Sequence, residues 1–468
     1  MILNIQEFLD EINSNVNYCH WKSNMGLAEA LVGKSDFDFL IDEACRSNFE
    51  FIATKYGFIE TNTVEERSLN GAQDWIGFCS ISNSIIHIHA HYELWIGAKA
   101  CKSFKVPFVK QILEKRRFQQ LENMWCSSYE HEFILIVLRI LLRQSYIQRR
   151  NAFDAVSRSQ FEEFSWLQEK QSPKRIRKEL ANCGLMEFEG VFLQGDKVIS
   201  HRQLTEQLSF RALRSFSHWQ ELSPLAAELL RIVNLLKIKS KSKLSRIGSI
   251  GSMFFNTHRS LNGDGIVISI VGIDGSGKST TVNACHEAIS KKIDCVKVYF
   301  GKGTSGGAFS KFTYFVCIAL STIFPFWQRH IHGIRILLLR FLSLQQILQA
   351  SKRGKIVLVD RWIQTSDPIS DGPIFYFLQG YLKKLEHRLN DKIDTIHNLL
   401  VILDIPVNLA LKRKNGNSVV LKRKYAVLRS ATFLGTCRPT KRIPISEETM
   451  TEEVVSDVFD VLNVVVRS

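Results

Sequence analysis

The chain reads as an α/β protein: a parallel sheet flanked by helices in its C-terminal half, preceded by a smaller α+β domain with a helical annex. Three observations predict this. An apolar, β-branched run at 266–271 has the composition of a buried parallel strand and leads through a glycine-rich turn into helical sequence. Two more apolar runs, 295–300 and 355–361, follow it with helical stretches between, as a parallel sheet requires. Near the start, 36–41 alternates acidic and apolar residues in the manner of a strand. The expected division is an α+β domain at 1–125, a helical annex at 126–240, a basic linker at 241–264 and the parallel-sheet domain at 265–468.

A length of 468 residues suits two or three domains. With 45% hydrophobic and 23% charged residues the chain is globular, which excludes a disordered one. The net charge of +15 suits anionic partners: nucleotides, phosphorylated glycans or an acidic membrane surface. Basic clusters such as Lys174-Arg-Ile-Arg-Lys178 lack interleaved aromatics, which argues against nucleic acid. Ten cysteines without a C-x-x-C spacing argue against zinc and for reduced thiols. Glu7, Asp10 and Glu11 near the N-terminus are unlike a signal peptide, so a cytoplasmic protein is expected.

From the N-terminus, 5–12 is an amphipathic helix. On the 36–41 strand, Asp36 and Asp38 project from one face and Phe37 and Phe39 from the other. Two carboxylates so placed can hold a divalent metal for phosphoryl chemistry. Trp21-Lys-Ser23, followed by this D-x-D strand, resembles the nucleotidyltransferase superfamily. That resemblance implies a serine turn for NTP phosphates and Mg²⁺ on Asp36 and Asp38. Lys22 stands where that family has glycine, and no third carboxylate is obvious. A strand at 85–94 carries His87, His89 and His91 on one face. Beside the Asp36 strand it would offer Asp36, Asp38 and His89 to a metal other than Mg²⁺, or else form a polar sheet face without catalysis.

Residues 131–146 and 223–238 are helical, the latter opening with Ser223 at the cap and Pro224 in the first turn. The stretch 237–262, rich in Lys, Ser, Gly and Arg, reads as a linker. The segment 312–328 has no charge, contains Pro325 and is slightly too short to span a bilayer. It is expected as a buried helix; the alternative is an in-plane membrane contact helped by Arg329, Arg335 and Arg340.

The central motif is Gly272 to Ser279, which fits the phosphate-binding pattern G-x-x-x-x-G-K-[ST]. Glycines at 272, 275 and 277 let the backbone close on a polyphosphate with its N–H groups inward. The helix that follows directs its positive end at the same anion. Lys278 adds a point charge for the β- and γ-phosphates, and the Ser279 hydroxyl is a Mg²⁺ ligand. The expected nucleotide contacts are Gly272, Asp274, Gly275, Ser276, Gly277, Lys278, Ser279 and Thr280. A second Gly-Lys-Ser, at 33–35, fails the pattern because residue 28 is alanine. The 355–361 strand ends in Asp360, a carboxylate able to hold Mg²⁺ at a strand's C-terminal edge.

In order, Gly272-Ile-Asp-Gly-Ser-Gly-Lys-Ser-Thr280, Asp360-Arg-Trp362, Leu403-Asp-Ile-Pro406 and a basic segment at 412–429 resemble the thymidylate kinases and related nucleoside-monophosphate kinases. The resemblance covers roughly 265–468. It implies ATP and Mg²⁺ as cofactors, with Lys278, Asp360, Arg361 and Arg413 catalytic. Asp274 would then face the acceptor, Asp360 work with Mg²⁺, Arg361 meet the acceptor phosphate, and Arg413, with Lys412, Lys414, Lys422, Lys424 and Arg429 in the lid, stabilise the transferring group. Residues 362–373 depart from the thymine-recognising segment, so the expected acceptor is a nucleotide, sugar or glycan precursor other than thymidylate. The expected activity is ATP- and Mg²⁺-dependent phosphoryl transfer. The alternatives are a regulatory ATP-binding or ATP-hydrolysing protein without an acceptor, and a membrane-surface binding protein.

Overall fold

The computed structural model describes residues 4–65, 70–98, 100–143, 157–206, 215–245, 259–301, 308–363, 380–394, 396, 398–413, 418–430 and 441–466. The chain divides into two compact units, one built on Leu3–Gly77 and Ile86–Ser240, the other on Lys241–Ser468 together with Phe78–Ile85.

The first unit opens with the helix Ile5–Asn15, whose Asn4 cap accepts from the N–H groups of Gln6 and Glu7. Its apolar face buries Phe8, Leu9 and Ile12. The strands that follow are β1 (Tyr18–His20), β2 (Phe37–Ile41), β3 (Ile59–Thr63), β4 (Ala72–Cys79), β5 (Ser84–His91), β6 (Trp95–Ala98), β7 (Cys101–Lys105), β8 (Arg117–Gln119) and β9 (Met124–Cys126). β6 and β7 form a ribbon; the others order as β3-β4-β5-β2-β1-β9-β8. β5 lies parallel to β2, with Asp38 opposite His89 and Leu40 opposite His91. The histidine strand thus stands beside the D-x-D strand.

The helices that follow share a core with this sheet. The helix Tyr129–Leu142 is buried on nearly every side, and its Phe133 to Leu142 pack in one cluster with Trp21, Leu40, Leu94 and Phe164. A helix apolar all round has to be enclosed, which here takes the helices Arg158–Glu169 and Pro173–Asn182. A short ribbon, β10 (Leu193–Gln194) with β11 (Lys197–Val198), follows. The helix beginning at Pro224 runs to Ser245, past the expected start of the linker. Lys and Leu are good helix formers, so the Lys-Ser repeat propagates a helix already nucleated by 225–236. The rest of the expected linker is residues outside the described set, the short strand β12 (Arg259–Leu261) and the bend at 262–264.

The second unit is a parallel sheet flanked by helices. Its strands are β13 (Val267–Gly272), β14 (Cys295–Tyr299), β15 (Ile356–Asp360), β16 (Asn398–Asp404) and β17 (Lys441–Pro444), in the order β14-β15-β13-β16-β17. Every neighbouring pair is parallel. This is the nucleoside-monophosphate-kinase-like arrangement, with β13 central. Its Ile268 and Ile270, like Val357 and Leu358 of β15, are fully buried, which explains the unbroken apolar runs. The helices Lys278–Ser290 and Thr451–Val466 pack on each other.

The segment expected as a buried helix is instead largely exposed. Ala308–Ile323 is a helix, followed by a turn and the helix Gln328–Ser351. The second helix packs on β14 and β15, while the first packs on the second. Among the described residues, the outer face of the pair packs against no other layer. Phe312 (64% exposed), Phe315 (73%) and, at the turn, Phe326 (98%) are among its open side chains.

Candidate functional site

Parallel register sets the geometry of the site. Ile270 of β13 pairs with Asp360 of β15, and Asp360 with Tyr299 of β14. The strand ends and the loop after β13 thus collect at the carboxyl edge. Connections leave β13 and β16 in opposite directions there, which is where open parallel sheets hold ligands. Gly275 and Gly277 adopt φ of 87° and 90°, in the left-handed region that glycine tolerates. A side chain at Gly275 would also put its Cβ 2.7 Å from the Ala410 carbonyl oxygen. Gly277 caps the helix Lys278–Ser290, so the first N–H groups of that helix open on the loop.

Lys278 is buried, and its Nζ donates to the carbonyls of Gly272 (3.0 Å) and Ile273 (2.8 Å), which fixes the ammonium against the loop. The Ser279 hydroxyl donates to Asp360 Oδ2 at 2.7 Å. Asp360 Oδ1 is buried and makes no hydrogen bond among the described residues. A hydroxyl touching a carboxylate whose other oxygen is orphaned fits a hard divalent cation with oxygen ligands.

Asp274 lies between two cations: Lys424 Nζ at 2.7 Å and an Arg361 guanidinium nitrogen at 3.3 Å. Partial burial pushes its carboxyl up, but Lys424, with Lys278 and Arg361, outweighs that and holds it at about 2. Asp274 is therefore a permanent carboxylate. Arg361 takes φ of 79°, a strained value for a long side chain, right after the strand end. Trp362 is fully buried against Phe300 (5.2 Å between centroids), so it belongs to the core.

The structure thus brings together Gly272 to Thr280, Asp360 and Arg361, and adds Lys424 to them. It does not bring in Arg413. That guanidinium donates to the Ser446 carbonyl at 3.0 Å and is exposed, while Lys412 pairs with Glu447. Of the lid cations, Lys424 reaches the site because the helix Ser418–Ser430 carries it there; the earlier sequence signal was only a basic cluster. Lys414 and the altered acceptor segment from 364 onward lie outside the described residues.

In the first unit the D-x-D carboxylates have different fates. Asp38 is buried and pairs with Lys22 Nζ at 2.8 Å, with His91 Nε2 at 3.6 Å. Burial pushes its carboxyl up, yet Lys22 and the imidazoles outweigh this and keep it well below the usual range. The Ser23 turn is also taken: its N–H and hydroxyl point at Glu163, at 2.9 and 3.4 Å, and Glu163 pairs with Arg139. A protein carboxylate therefore sits where the nucleotidyltransferase resemblance places a phosphate, and a lysine neutralises Asp38. Asp36 instead groups with His87, His89 and Asp74, the carboxylate that sequence reading missed because it lies on a third strand, β4.

No protein-family model matches the chain, and no curated protein matches its sequence. Among solved structures it is similar to the thymidylate kinase of Candida albicans, at 14% identity over 44% of this chain and 94% of that one, with a TM-score of 0.28. It is similar also to the thymidylate kinase of Ehrlichia chaffeensis, at 18% identity over 42% of this chain and 98% of that one, with a TM-score of 0.27. The fold class rests on the strand order.

Because Gly275 combines positive φ with a close carbonyl, Gly275→Ala should lower stability by about 1–3 kcal/mol. Gly184, with φ of 69° and open space around a Cβ, separates the two effects, so Gly184→Ala should cost about 1 kcal/mol. Thermal denaturation of both variants checks this; equal shifts would contradict a tight loop at Gly275.

Proposed function

We propose that the C-terminal unit is an ATP- and Mg²⁺-dependent phosphotransferase acting on a small-molecule or glycan acceptor. The observation that carries this reading is the 2.7 Å contact of Ser279 with Asp360, set beside the Lys278 helix terminus at the carboxyl edge of a parallel sheet. Backbone N–H groups and Lys278 would hold the β- and γ-phosphates, and Ser279 and Asp360 would hold Mg²⁺ between them. An acceptor oxygen then bonds to the γ-phosphorus as the bond to the β,γ-bridging oxygen breaks, and ADP leaves. Asp274, always ionised, accepts from and orients an acceptor hydroxyl; it is too weak a base to keep a proton, so an attacking hydroxyl passes its proton to an oxygen of the transferred phosphoryl group, from which it is lost to water. Arg361 and Lys424 supply positive charge on the acceptor side, which stabilises phosphoryl oxygens as charge shifts among them.

A second observation supports an enzyme that works at an anionic membrane surface. From 308 to 351 the sequence has no aspartate or glutamate. The turn of this helix pair sets Phe324, Phe326 and Trp327 outermost, with Arg329 exposed just behind them. Aromatic tips backed by a cation are the composition of an interfacial contact. A groove of about 240 Å³ between the helices is lined by Phe312, Val316, Leu320, Ile331, Ile334 and Leu338. The stretch Pro325–Ser351 is long and apolar enough to cross a membrane. However, its Arg340 lies buried near Glu386 (3.8 Å) and its Ser343 donates to the Tyr299 carbonyl, which favours a contact in the surface plane.

For the transfer reaction, ADP release is measured against nucleoside monophosphates, sugars and phosphoglycans. At least one acceptor should raise turnover, and Lys278→Ala and Asp360→Ala should each lower it by roughly 10²-fold or more, as loss of a transition-state charge contact does. Turnover independent of every acceptor would favour the acceptor-free ATPase. For the surface contact, the protein should sediment at low salt with vesicles containing phosphatidylglycerol and much less with phosphatidylcholine alone. Phe326→Asp should abolish this; failure of the unaltered protein to sediment would overturn it, and a dimer lost in the same variant would point to a second copy as the occupant.

A further inference from the structure

Two imidazoles in the first unit are held between two carboxylates. Asp74 Oδ1 lies 2.8 Å from His87 Nε2 and 2.7 Å from His89 Nδ1. Each ring's other nitrogen turns toward Asp36: His87 Nδ1 is 3.2 Å from Asp36 Oδ1, and His89 Nε2 is 3.7 Å from Asp36 Oδ2. The Asp36, His87 and His89 donor atoms all lie within 4.8 Å of one another. Donors bound at about 2.1 Å to one tetrahedral ion sit roughly 3.4 Å apart, a value between the two observed separations of 3.2 and 3.7 Å.

We propose that Asp36, His87 and His89 bind a divalent first-row transition metal ion, with Asp74 as the carboxylate that orients both imidazoles. Three features lead there. Asp74 accepts from one nitrogen of each ring, which turns the other nitrogens, His87 Nδ1 and His89 Nε2, toward Asp36. Carboxylate–histidine–metal relays are built this way. His87 Nδ1 is buried and, although 3.2 Å from Asp36 Oδ1, makes no hydrogen bond among the described residues. Finally, the His87 side chain is 0% exposed but Asp36 is 32% exposed, so one side is protein and the other admits water or an oxygen ligand. Such a set of two histidines and one carboxylate with open positions selects a transition ion over Mg²⁺. Asp38, engaged by Lys22, is outside it.

The site does not depend on the phosphotransferase reading, since it lies wholly in the other unit. The rival explanation is a proton shared among the same groups, and the test separates the two. Full-length protein stripped with chelator is titrated with Co²⁺ while visible d–d absorption is read, and protein as isolated is assayed for metal by mass spectrometry. A single ion per chain with a tetrahedral or five-coordinate spectrum is expected. Asp36→Asn and His89→Ala should remove the spectrum, with far-UV circular dichroism checking that both fold. Asp74→Asn should weaken Co²⁺ by roughly 10–100-fold, as loss of an orienting carboxylate does, and Asp38→Asn should leave the spectrum in place. Absence of stoichiometric Co²⁺ binding, or a site lost with Asp38→Asn but kept with Asp36→Asn, would overturn the proposal.

Discussion

The second unit depends on the pairing of β13 with β15. Both strands are buried on two faces, so they can neither shift register nor turn outward without exposing Ile268, Ile270, Val357 and Leu358. That register puts Asp360 beside the end of β13, and the chain has then to reverse within the glycine-rich turn to begin the helix at Lys278. Ser279 meets Asp360 because the strands leave it nowhere else to be. The chemistry follows from packing: a helix terminus, an ammonium, a hydroxyl and a carboxylate converge on one edge without any of them being on a free loop.

In the first unit the same rule of strand pairing has a different product. β5 next to β2 gives a face on which aspartates and histidines alternate between strands, and β4 adds Asp74. One carboxylate, Asp38, is neutralised by Lys22, and the serine turn is covered by Glu163. The serine turn and Asp38 are thus satisfied internally, and Asp36, His87 and His89 group on the same sheet face. Charge decides this outcome: a buried carboxylate is stable as an anion only with a cation or several donors next to it.

Much of the second unit was legible in the sequence, because a parallel sheet buried on both faces writes its strands as unbroken apolar runs. The runs at 266–271, 295–300 and 355–361 became β13, β14 and β15 within a residue or two. The loop glycines were legible because positive φ restricts residue type. Contacts between distant side chains were not. Nothing near Lys424 marks it, rather than Arg413, as the lid cation that reaches Asp274, and nothing near Asp74 marks it as the partner of two histidines on another strand. The exposed helix pair was misread because an apolar segment looks the same whether a protein layer or some other surface covers it. The helix through Ser245 was missed because lysine and serine suit a solvated helix as well as a linker.

The central claim is that the loop after β13 and the end of β15 form one nucleotide–metal site. The most direct measurement is a crystal structure of the full chain with a non-hydrolysable ATP analogue and Mg²⁺. The account predicts the β- and γ-phosphates on the N–H groups of 275–280 with Lys278 turned onto them, and the ion between Ser279 and Asp360. Nucleotide bound elsewhere, or bound at the loop with Ser279 and Asp360 still hydrogen-bonded and no ion between them, would contradict it.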